Sequence, residues 1–352
     1  MFENVLEGKK DFIGLDIGYN SLKIVELKKR GAFLYLSGFS ELPIPANSIQ
    51  KNGIIKKKEI SEQIKRAIKD SKPHAITGKK IASALPASLV FSKVLKFPNM
   101  KKAELDKAIP YEVTDFFPVP IEELNLDWHV LNTSTGKGYQ KDDLEVLVIG
   151  APKKLVNDLI EIVHEAGLEL NALETKPIAA ARGILFKNNG LVVLVDIGAE
   201  ITSISIADSE QIKITSTINA GGNIISRNIA NVTGLSIDQA EKNKIINGLD
   251  LDIKDKTNDE IINNLNIIIQ EIKDNIKYYE TRINRNTRVN EILLFGGGAE
   301  LKGADKYLEK ELSIPTKLAN PNLKIKTNAR DQIPQKEILK YTAAIGLAMR
   351  ES

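Results

Sequence analysis

Cysteine is absent from the 352-residue sequence, and histidine occurs only three times. The missing cysteines exclude a disulfide framework and a thiolate metal site. The histidines, His74, His129 and His164, lie far apart and lack the spacing of metal ligands, which favours structural or surface roles for them. Binding chemistry must therefore come from other residue types.

A long apolar run and an excess of one charge sign are also missing. No stretch approaches the roughly 20 apolar residues that cross a bilayer, and the start, MFENVLEGKK, is too short and too acidic for a signal peptide. The 49 basic and 46 acidic residues leave a formal charge of +3, which is no footprint for nucleic acid. We therefore predict a cytoplasmic protein that binds no nucleic acid, does not insert into the membrane, and reaches the membrane only through a partner.

Two common signatures of nucleotide-binding proteins do not occur. The P-loop pattern G-x-x-x-x-G-K-[ST] is missing, and no G-x-G-x-x-G follows a strand pattern. The segment LLFGGGAEL brings three glycines together without that spacing. These absences exclude a P-loop protein and the Rossmann fingerprint.

One short pattern is present twice, in FIGLDIGYNSLKIVEL (12–27) and in LVVLVDIGAEITSISI (191–206). Each copy has an apolar run, a D-I-G turn and a segment in which apolar and polar residues alternate. This combination predicts a β-hairpin. Because 352 residues are enough for two cores, the repeat predicts two duplicated domains whose hairpins face each other.

The two turns have the chemistry of a phosphate site. Gly18 and Gly198 let the backbone approach an anion, and successive backbone N–H groups can bind it. The hydroxyls of Ser21 and Thr202 add donors, and Lys23 adds a positive charge. The hairpins together predict a triphosphate held between the two domains.

An aspartate ends the first strand of each hairpin, Asp16 in the first copy and Asp196 in the second. Mg²⁺ keeps several water ligands and takes one or two carboxylates together with phosphate oxygens. The two aspartates are therefore the candidate metal ligands, and the predicted cofactors are ATP and Mg²⁺.

Three further segments are typical of a nucleotide clamp, although each alone also fits a tight turn or a surface ion pair. In EILLFGGGAELKG a strand precedes glycines against which an adenosine can lie flat, and NAGGNIISRNIA begins a helix whose N-terminus can face an anion. In LSIDQAEKNKIING a glutamate and a lysine three residues apart share a helical face, suited to ribose hydroxyls and to the ring or a phosphate. The candidate contacts are Gly221, Gly222, Asn223, Glu241, Lys244, Gly296, Gly297, Gly298 and Ala299.

The order of these segments resembles the actin-like ATPase superfamily, which includes actin, heat-shock chaperones, sugar kinases, MreB and FtsA. In that superfamily the D-x-G hairpins are phosphate loops and the G-G-G-A turn is the adenosine loop. The segment YTAAIGLAMRES is similar to its closing helix, which returns to the first domain. The resemblance implies an α/β actin-like ATPase fold with two duplicated RNase H-like domains.

A narrower resemblance, to the PilM family of type IV pilus assembly, covers about residues 11–350. It rests on GLDIGYNSLKIVELKK and on the stretch from IASALPASLVF to FFPVPIEELNLDWHVL. The segments LVDIGAEITSISI, AGGNII, AEKNK, IKYYETR and ILLFGGGAELKG follow in the expected order.

The family resemblance implies a division of the chain into domains. Domain 1 is expected at 11–188, rejoined by 341–352, with an FtsA-type insertion, subdomain 1C, at about 41–130. Domain 2 is expected at 189–340, with a subdomain 2B at about 221–290.

The phosphate loops depart from the family pattern at a few positions. First loops of PilM-type chains read D-I-G-S-S-S-x-K, whereas Tyr19 and Asn20 stand here and Ser21 and Lys23 remain. The serine hydroxyls of the family pattern are missing at positions 19 and 20. Backbone N–H groups, including that of Asn20, can still contact phosphate. In the second loop Glu200 stands where a small residue is commoner, and its charge repels phosphate unless a cation is near.

The segment ETKPIAAARGIL bears on catalysis. In chaperones and MreB a glutamate before the proline positions the attacking water, but here Lys176 precedes Pro177. Glu174 lies two positions earlier, and Lys176 is suited to stabilise bound phosphate. Asp196 and Glu174 are the candidate catalytic residues, and we predict weak ATP hydrolysis at most.

The PilM resemblance implies a scaffold at the cytoplasmic face of the inner membrane, among other proteins of the pilus assembly platform. Its expected partner is the N-terminal cytoplasmic peptide of PilN, extended in a groove between subdomains 1A and 1C. Self-association stays open. One alternative is an FtsA-like filament protein, although FtsA-type chains end in an amphipathic membrane helix and this sequence ends soon after an apolar helix. A sugar or acid kinase is less favoured, because no substrate pocket or catalytic aspartate is identified in domain 1.

Overall fold

Two β-sheets that share the same order over five strands form the framework of the protein, and the first sheet has one further edge strand. The computed structural model describes residues 12–50, 53–133, 143–186, 189–283, 287–327 and 332–350. In both sheets an antiparallel three-strand meander is joined by strands parallel to its first strand. The repeated order confirms the predicted α/β fold of two duplicated units.

The strands are β1 (Ile13–Ile17), β2 (Ser21–Arg30), β3 (Phe33–Pro43), β4 (Ile49–Gln50), β5 (Gly53–Ile54), β6 (Lys72–Pro73), β7 (Lys80–Leu85), β8 (Phe91–Phe97), β9 (Leu124–Thr133), β10 (Leu144–Pro152), β11 (Glu169–Thr175), β12 (Leu191–Ile197), β13 (Thr202–Asp208), β14 (Gln211–Ile218), β15 (Glu291–Phe295) and β16 (Thr316–Leu318). The α-helices are α1 (Lys57–Lys69), α2 (Lys102–Val113), α3 (Lys153–Glu165), α4 (Lys176–Ile184), α5 (Gly222–Thr233), α6 (Ile237–Asn247), α7 (Lys256–Tyr278), α8 (Ala304–Leu312) and α9 (Thr342–Ala348).

The first large sheet has the order β11-β7-β1-β2-β3-β6. All five residues of β1 are buried, because helices cover both faces of this central strand. β1 and β2 form the predicted hairpin, and Ile17 pairs with Leu22 beside its turn. The apolar run of the first repeated segment is therefore the centre of the first core.

The second large sheet has the order β14-β13-β12-β15-β16. Its central strand β12 contains the run LVVLV, whose five residues are all buried. β12 and β13 form the second predicted hairpin, with Ile197 opposite Thr202. Helix α7 packs on this unit through apolar residues one turn apart, among them Ile261, Leu265 and Ile268.

A third, three-stranded sheet has the order β8-β10-β9 and packs against α2. Strand pairing corrects the predicted insertion at about 41–130, because β6 and β7 lie within the first large sheet and α1 packs against its core. The small sheet also extends past residue 130 to the end of β10. Sequence alone misplaced these limits because the partner of a strand is set by distant segments.

The polar stretch NTSTGKGYQKDD, interpreted from its sequence as a hairpin tip, falls largely on residues 134–142, which lie outside the described residues. Within the described ranges, no helix has the length and apolarity needed to cross a membrane.

The C-terminal helix α9 packs directly on the first unit. The backbone of α9 approaches β1 so closely that a Cβ on Gly14 would lie 1.9 Å from the Ala344 carbonyl oxygen. It also crosses α4, where a Cβ on Gly346 would lie 1.7 Å from the Ala179 carbonyl oxygen. Glycine at these positions lets the chain end bind against the start of the fold, as the superfamily resemblance implied.

We expect Gly346→Ala to destabilise the protein. In an exposed helix this change would stabilise by up to about 1 kcal/mol, but here the new methyl group meets backbone, and overpacking costs about 1–3 kcal/mol. Urea unfolding monitored by circular dichroism measures the change. Gly183→Ala, whose Cβ would lie 3.1 Å from the Thr342 carbonyl oxygen, should cost less. A Gly346→Ala protein as stable as the parent would contradict this packing.

Candidate functional site

A crevice of about 940 Å³ is lined by the bends of both hairpins. Asp16, Gly18 and Asn20 line it from the first hairpin, and Asp196 and Gly198 line it from the second. The two bends, 180 residues apart in the sequence, therefore face one shared space, which is the arrangement that the sequence repeat predicts.

The two bends have matching backbone geometry. The Gly18 N–H donates to the Ser21 carbonyl, and the Gly198 N–H donates to the Ile201 carbonyl, each at 3.0 Å. In the ladders that follow, Asp16 pairs with Lys23, and Asp196 pairs with Ser203. Ser21 therefore corresponds to Ile201, and Lys23 corresponds to Ser203.

This register corrects the prediction for Thr202. Thr202 corresponds to Leu22, one residue after Ser21. Successive strand residues point to opposite faces of the sheet. Its side chain is fully buried, donates to the Ala220 carbonyl, and does not line the crevice. Ser203 lines the crevice instead, and counting from the glycine of each turn would have identified it from the sequence.

A buried ammonium lies between the two aspartates. Lys176 Nζ, at the first residue of α4, is 2.9 Å from Asp16 Oδ1 and 4.0 Å from Asp196 Oδ2. Burial alone would lower the pKa of Lys176, but the charges of Asp16 and Asp196 outweigh it and raise the pKa. Burial also raises the pKa of Asp196; the Lys176 charge opposes that rise, and the Asp16 charge adds to it.

The two carboxylates suit a hydrated divalent cation. Asp16 Oδ1 is buried and, within the described residues, accepts no hydrogen bond of good geometry, so the nearby ammonium is its compensation. No group of three or more metal-binding side chains occurs in the described ranges. Asp16 and Asp196 therefore fit a cation that keeps most of its waters, and Lys176 occupies the space between them.

Glu200 does not point an uncompensated charge at the crevice. Arg227 donates to both of its carboxylate oxygens, at 3.0 and 2.7 Å. This pairing lowers the pKa of Glu200, and a hydrogen bond from Asn223 acts in the same direction. The repulsion expected from the sequence is thus offset by a residue 27 positions away.

Two asparagines join the bends across the mouth of the crevice. The side-chain amides of Asn20 and Asn223 donate to each other, each at 3.0 Å. Asn223 follows the N-terminus of α5, whose Gly222 N–H donates to the Gly198 carbonyl. The first hairpin, the second hairpin and the start of α5 therefore form one continuous rim.

The glycines at the start of α5 have different positions. A Cβ on Gly221 would lie 2.3 Å from the Ala199 carbonyl oxygen, and Gly221 does not line the crevice. Gly222 does line it, beside Lys244. Gly221 thus permits the close approach of helix and loop, whereas Gly222 is part of the surface.

Lys244 lines the crevice, but its three donors are already used. Its ammonium donates to the Gly222 carbonyl at 2.8 Å, to Ser226 Oγ at 3.0 Å and to Glu241 Oε2 at 2.7 Å. This lysine therefore orders the wall of the crevice. In these contacts with described residues Glu241 uses only Oε2.

The three consecutive glycines have three environments. Gly296 has φ +84°, and a Cβ there would lie 2.3 Å from Asp196 Oδ1. A Cβ on Gly298 would meet Ile197 at 2.3 Å, whereas one on Gly297 would meet nothing closer than Lys340 Cγ at 4.0 Å. All three line the crevice, but the predicted contact Ala299 is buried beneath them and does not. Gly297 therefore faces open space.

The structure corrects the predicted catalytic role of Glu174. Its carboxylate is buried, receives hydrogen bonds from Arg182 at 2.8 and 2.9 Å, and pairs with Arg350. Glu174 does not line the crevice. Glu174 lies on β11, whereas Lys176 is the first residue of α4, so the two side chains need not point the same way. Glu174 instead connects β11 to Arg182 of α4 and to Arg350 after α9.

Sequence reasoning missed several polar residues of the crevice. Glu41, on β3, accepts from Ser21 Oγ at 2.7 Å and lies 3.5 Å from Lys23 and 3.6 Å from Lys340. Burial would raise the pKa of Glu41, but these partners lower it. No motif marks Glu41, because its neighbours come from distant parts of the chain. The other missed polar residues are Ser88, Ser203, Asn264, Glu300, Lys302, Gln335, Lys336 and Lys340.

The Glu200–Arg227 pair predicts a pH-dependent contribution to stability. Because the folded-state pKa of Glu200 is lowered from 4.5, this stability is present above that pH and is lost as the pH falls through the lowered pKa. We expect Arg227→Met to lower the free energy of unfolding at neutral pH by about 0.2–1 kcal/mol. Urea titrations of both proteins should show the difference shrinking in acid. A difference independent of pH would contradict the pairing.

Comparisons with known proteins bear on the fold and the family of the chain. The chain is 26% identical to the cell division protein FtsA of Enterococcus hirae in an alignment of 255 positions that covers 66% of this chain and 57% of FtsA. The match thus spans less than two thirds of that relative. MreB 5 of Spiroplasma citri bound to AMPPNP superposes with a TM-score of 0.57 at 13% identity, covering 97% of this chain and 95% of MreB 5.

A solved PilM–PilN type IV pilus biogenesis complex is more similar in structure. It superposes with a TM-score of 0.83 at 22% identity, covering 97% of this chain and 99% of that chain. These likenesses confirm the actin-like fold. The model of the family described as type IV pilus assembly protein PilM matches residues 14–352. The chain therefore belongs to the PilM family of type IV pilus assembly proteins.

Proposed function

We propose that this protein is an ATP-binding scaffold of the type IV pilus assembly platform at the inner membrane. The observation that carries the proposal is the convergence of both Asp–Gly bends on one crevice, around a buried ammonium. A ligand bound there contacts both halves of the chain and favours the arrangement in which they are closed. A partner that prefers this arrangement is then coupled to the nucleotide by linkage.

The end of the crevice between the hairpins suits a triphosphate. Gly18 and Gly198 bring backbone close to the space, and Lys23 and Lys176 supply positive charge there. Gly297 leaves room beside them. Asp16 and Asp196 are the carboxylates that would hold Mg²⁺ arriving with the triphosphate, in competition with the ammonium of Lys176 between them.

The other end of the crevice suits a nucleoside. Ile245, Ile246 and Leu301 line it with apolar surface, and Glu241 offers a carboxylate oxygen to ribose hydroxyls. Asn264 Oδ1 is buried in this wall without a hydrogen bond from the described residues. An apolar slot with a few polar groups is the usual form of a base-binding site.

Hydrolysis is expected to be slow. Lys176 stands at the position where related ATPases carry the water-positioning glutamate, and Glu174 is held by two arginines. Binding needs neither a base nor an oriented water, whereas hydrolysis does. The nucleotide would then act as a ligand that sets conformation.

The proposed partner is the N-terminal cytoplasmic peptide of a PilN-type membrane protein, which would bring this chain to the inner membrane. Exposed Tyr111 and Phe116, on and just after α2, give the small sheet unit apolar surface for such a peptide. A buried ion pair of 3.0 Å between Glu145 and Lys213 ties β10 of that unit to β14. Closure of the crevice would therefore also shift the small unit.

A filament-forming role is the second candidate, because the curated relative FtsA shares 26% identity with the chain. Sedimentation with and without nucleotide separates the two functions. A scaffold stays in the supernatant with its peptide bound, and a filament protein pellets when nucleotide is added.

We expect Gly297→Val to abolish nucleotide binding without unfolding the protein, because the added side chain projects into the crevice. ATP at 100 times its Kd should stabilise the parent by about 2.7 kcal/mol, which a thermal-shift titration detects. The variant should show no shift. Ala103→Val, at an exposed position of α2, is the control and should respond like the parent. A normal response of Gly297→Val would place the nucleotide elsewhere.

We expect the parent to retain a synthetic peptide of the PilN-type N-terminal tail more strongly with ATP than without it. Fluorescence anisotropy of the labelled peptide measures both affinities, and a scrambled peptide is the control. Gly297→Val should bind the peptide at the nucleotide-free level in both conditions. Equal binding of true and scrambled peptides would remove the scaffold proposal and leave the fold untouched.

A further inference from the structure

The ammonium of Lys176 occupies the space in which an actin-like ATP site is expected to hold a metal ion. It is 2.9 Å from Asp16 Oδ1 and 4.0 Å from Asp196 Oδ2, and the three side chains are largely buried. Because Mg²⁺ with its inner water ligands would fill this same space, ammonium and metal compete for it.

The position of Lys176 is built into the fold. It is the first residue of α4, directly after β11, and Pro177 follows it. α4 is held in turn by α9, where Gly346 and Ala179 meet backbone to backbone. The side chain of Lys176 therefore extends into the crevice from a helix whose position is fixed by packing.

Three other lysines that line the crevice, Lys23, Lys244 and Lys340, are engaged by other groups. Lys23 donates to Ser21 and pairs with Glu41, and Lys340 pairs with Glu41 as well. Lys244 has its three donors engaged in the wall of the crevice. Lys176 is thus the described cation that bridges the carboxylates of both hairpins.

We propose that Lys176 is a resident cation that replaces much of the charge of a divalent metal, so that this site binds nucleoside triphosphate even when metal is removed. The inference rests on the proposed nucleotide function. The ammonium screens Asp16 and Asp196 from the entering phosphates, which would otherwise meet two unpaired carboxylates. Lys176 also stands at the sequence position of the glutamate that orients the attacking water in related ATPases. One residue therefore both relaxes the metal requirement and slows hydrolysis.

Equilibrium binding of radiolabelled ATP in excess Mg²⁺ and in excess EDTA tests this role. For the parent we expect the two dissociation constants to agree within about threefold. Lys176→Met keeps most of the length of the side chain and removes the charge. In EDTA it should weaken binding by at least about tenfold, which corresponds to about 1.4 kcal/mol, and Mg²⁺ should restore most of the loss. Lys176→Arg should bind in EDTA better than Lys176→Met.

Lys57→Met is the matched control. Lys57 also lies between two carboxylates, Asp158 and Glu161, but outside the crevice. This variant should bind ATP like the parent in both conditions. Circular dichroism verifies that each variant is folded before binding is measured.

Electron paramagnetic resonance of Mn²⁺ gives a readout independent of nucleotide. Without nucleotide, Lys176→Met should bind Mn²⁺ more tightly than the parent, because the metal no longer competes with the ammonium. If the two proteins bound Mn²⁺ with equal affinity, the result would contradict the claim that the metal and the Lys176 ammonium compete for one space.

The outcomes separate the two proposals. In one outcome the parent binds ATP in Mg²⁺ and loses that binding in EDTA, with Lys176→Met losing no more affinity than the parent. This result would overturn the role of Lys176 as a resident cation and leave the proposed nucleotide binding intact. Absence of ATP binding by the parent in both conditions overturns the nucleotide function and this inference with it.

Discussion

The contact between Lys176 and the aspartates of the two hairpins is the interaction on which the site depends. Asp16 and Asp196 are the second-to-last residues of the central strands of two different sheets, and facing carboxylates repel each other when they are brought together without a cation. The Lys176 charge offsets this repulsion and lets both Asp–Gly bends line one crevice. The packing of α9 and α4, through Gly346, holds the lysine in place.

Much of the architecture was predictable because its signals are local. An apolar run, an Asp–Gly turn and a period-two tail specify a hairpin within sixteen residues, so the sequence repeat predicted the duplicated sheets. The G-G-G turn and the start of α5 were recognisable for the same reason, since a missing side chain is visible in the sequence. The resemblance to the PilM family, which rests on the quoted segments and their order, is confirmed by the family match.

The remaining features depend on contacts between distant residues, which no local pattern records. Thr202 was misassigned because a one-residue error in register turns a side chain to the other face of a strand. Glu174 was misassigned because its arginine partners are contributed by α4 and by the chain end. The neutralisation of Glu200 by Arg227, and the position of β7 in the first sheet, likewise became visible only in the folded chain.

A crystal structure of the protein with a non-hydrolysable ATP analogue is the most direct test of the central claim that both hairpins hold one triphosphate. The account predicts electron density for the phosphates between the backbone of Gly18 and that of Gly198, with Lys176 beside them and the base towards Ile245. Phosphate density on another surface, or density that contacts only one of the two hairpins, would contradict it.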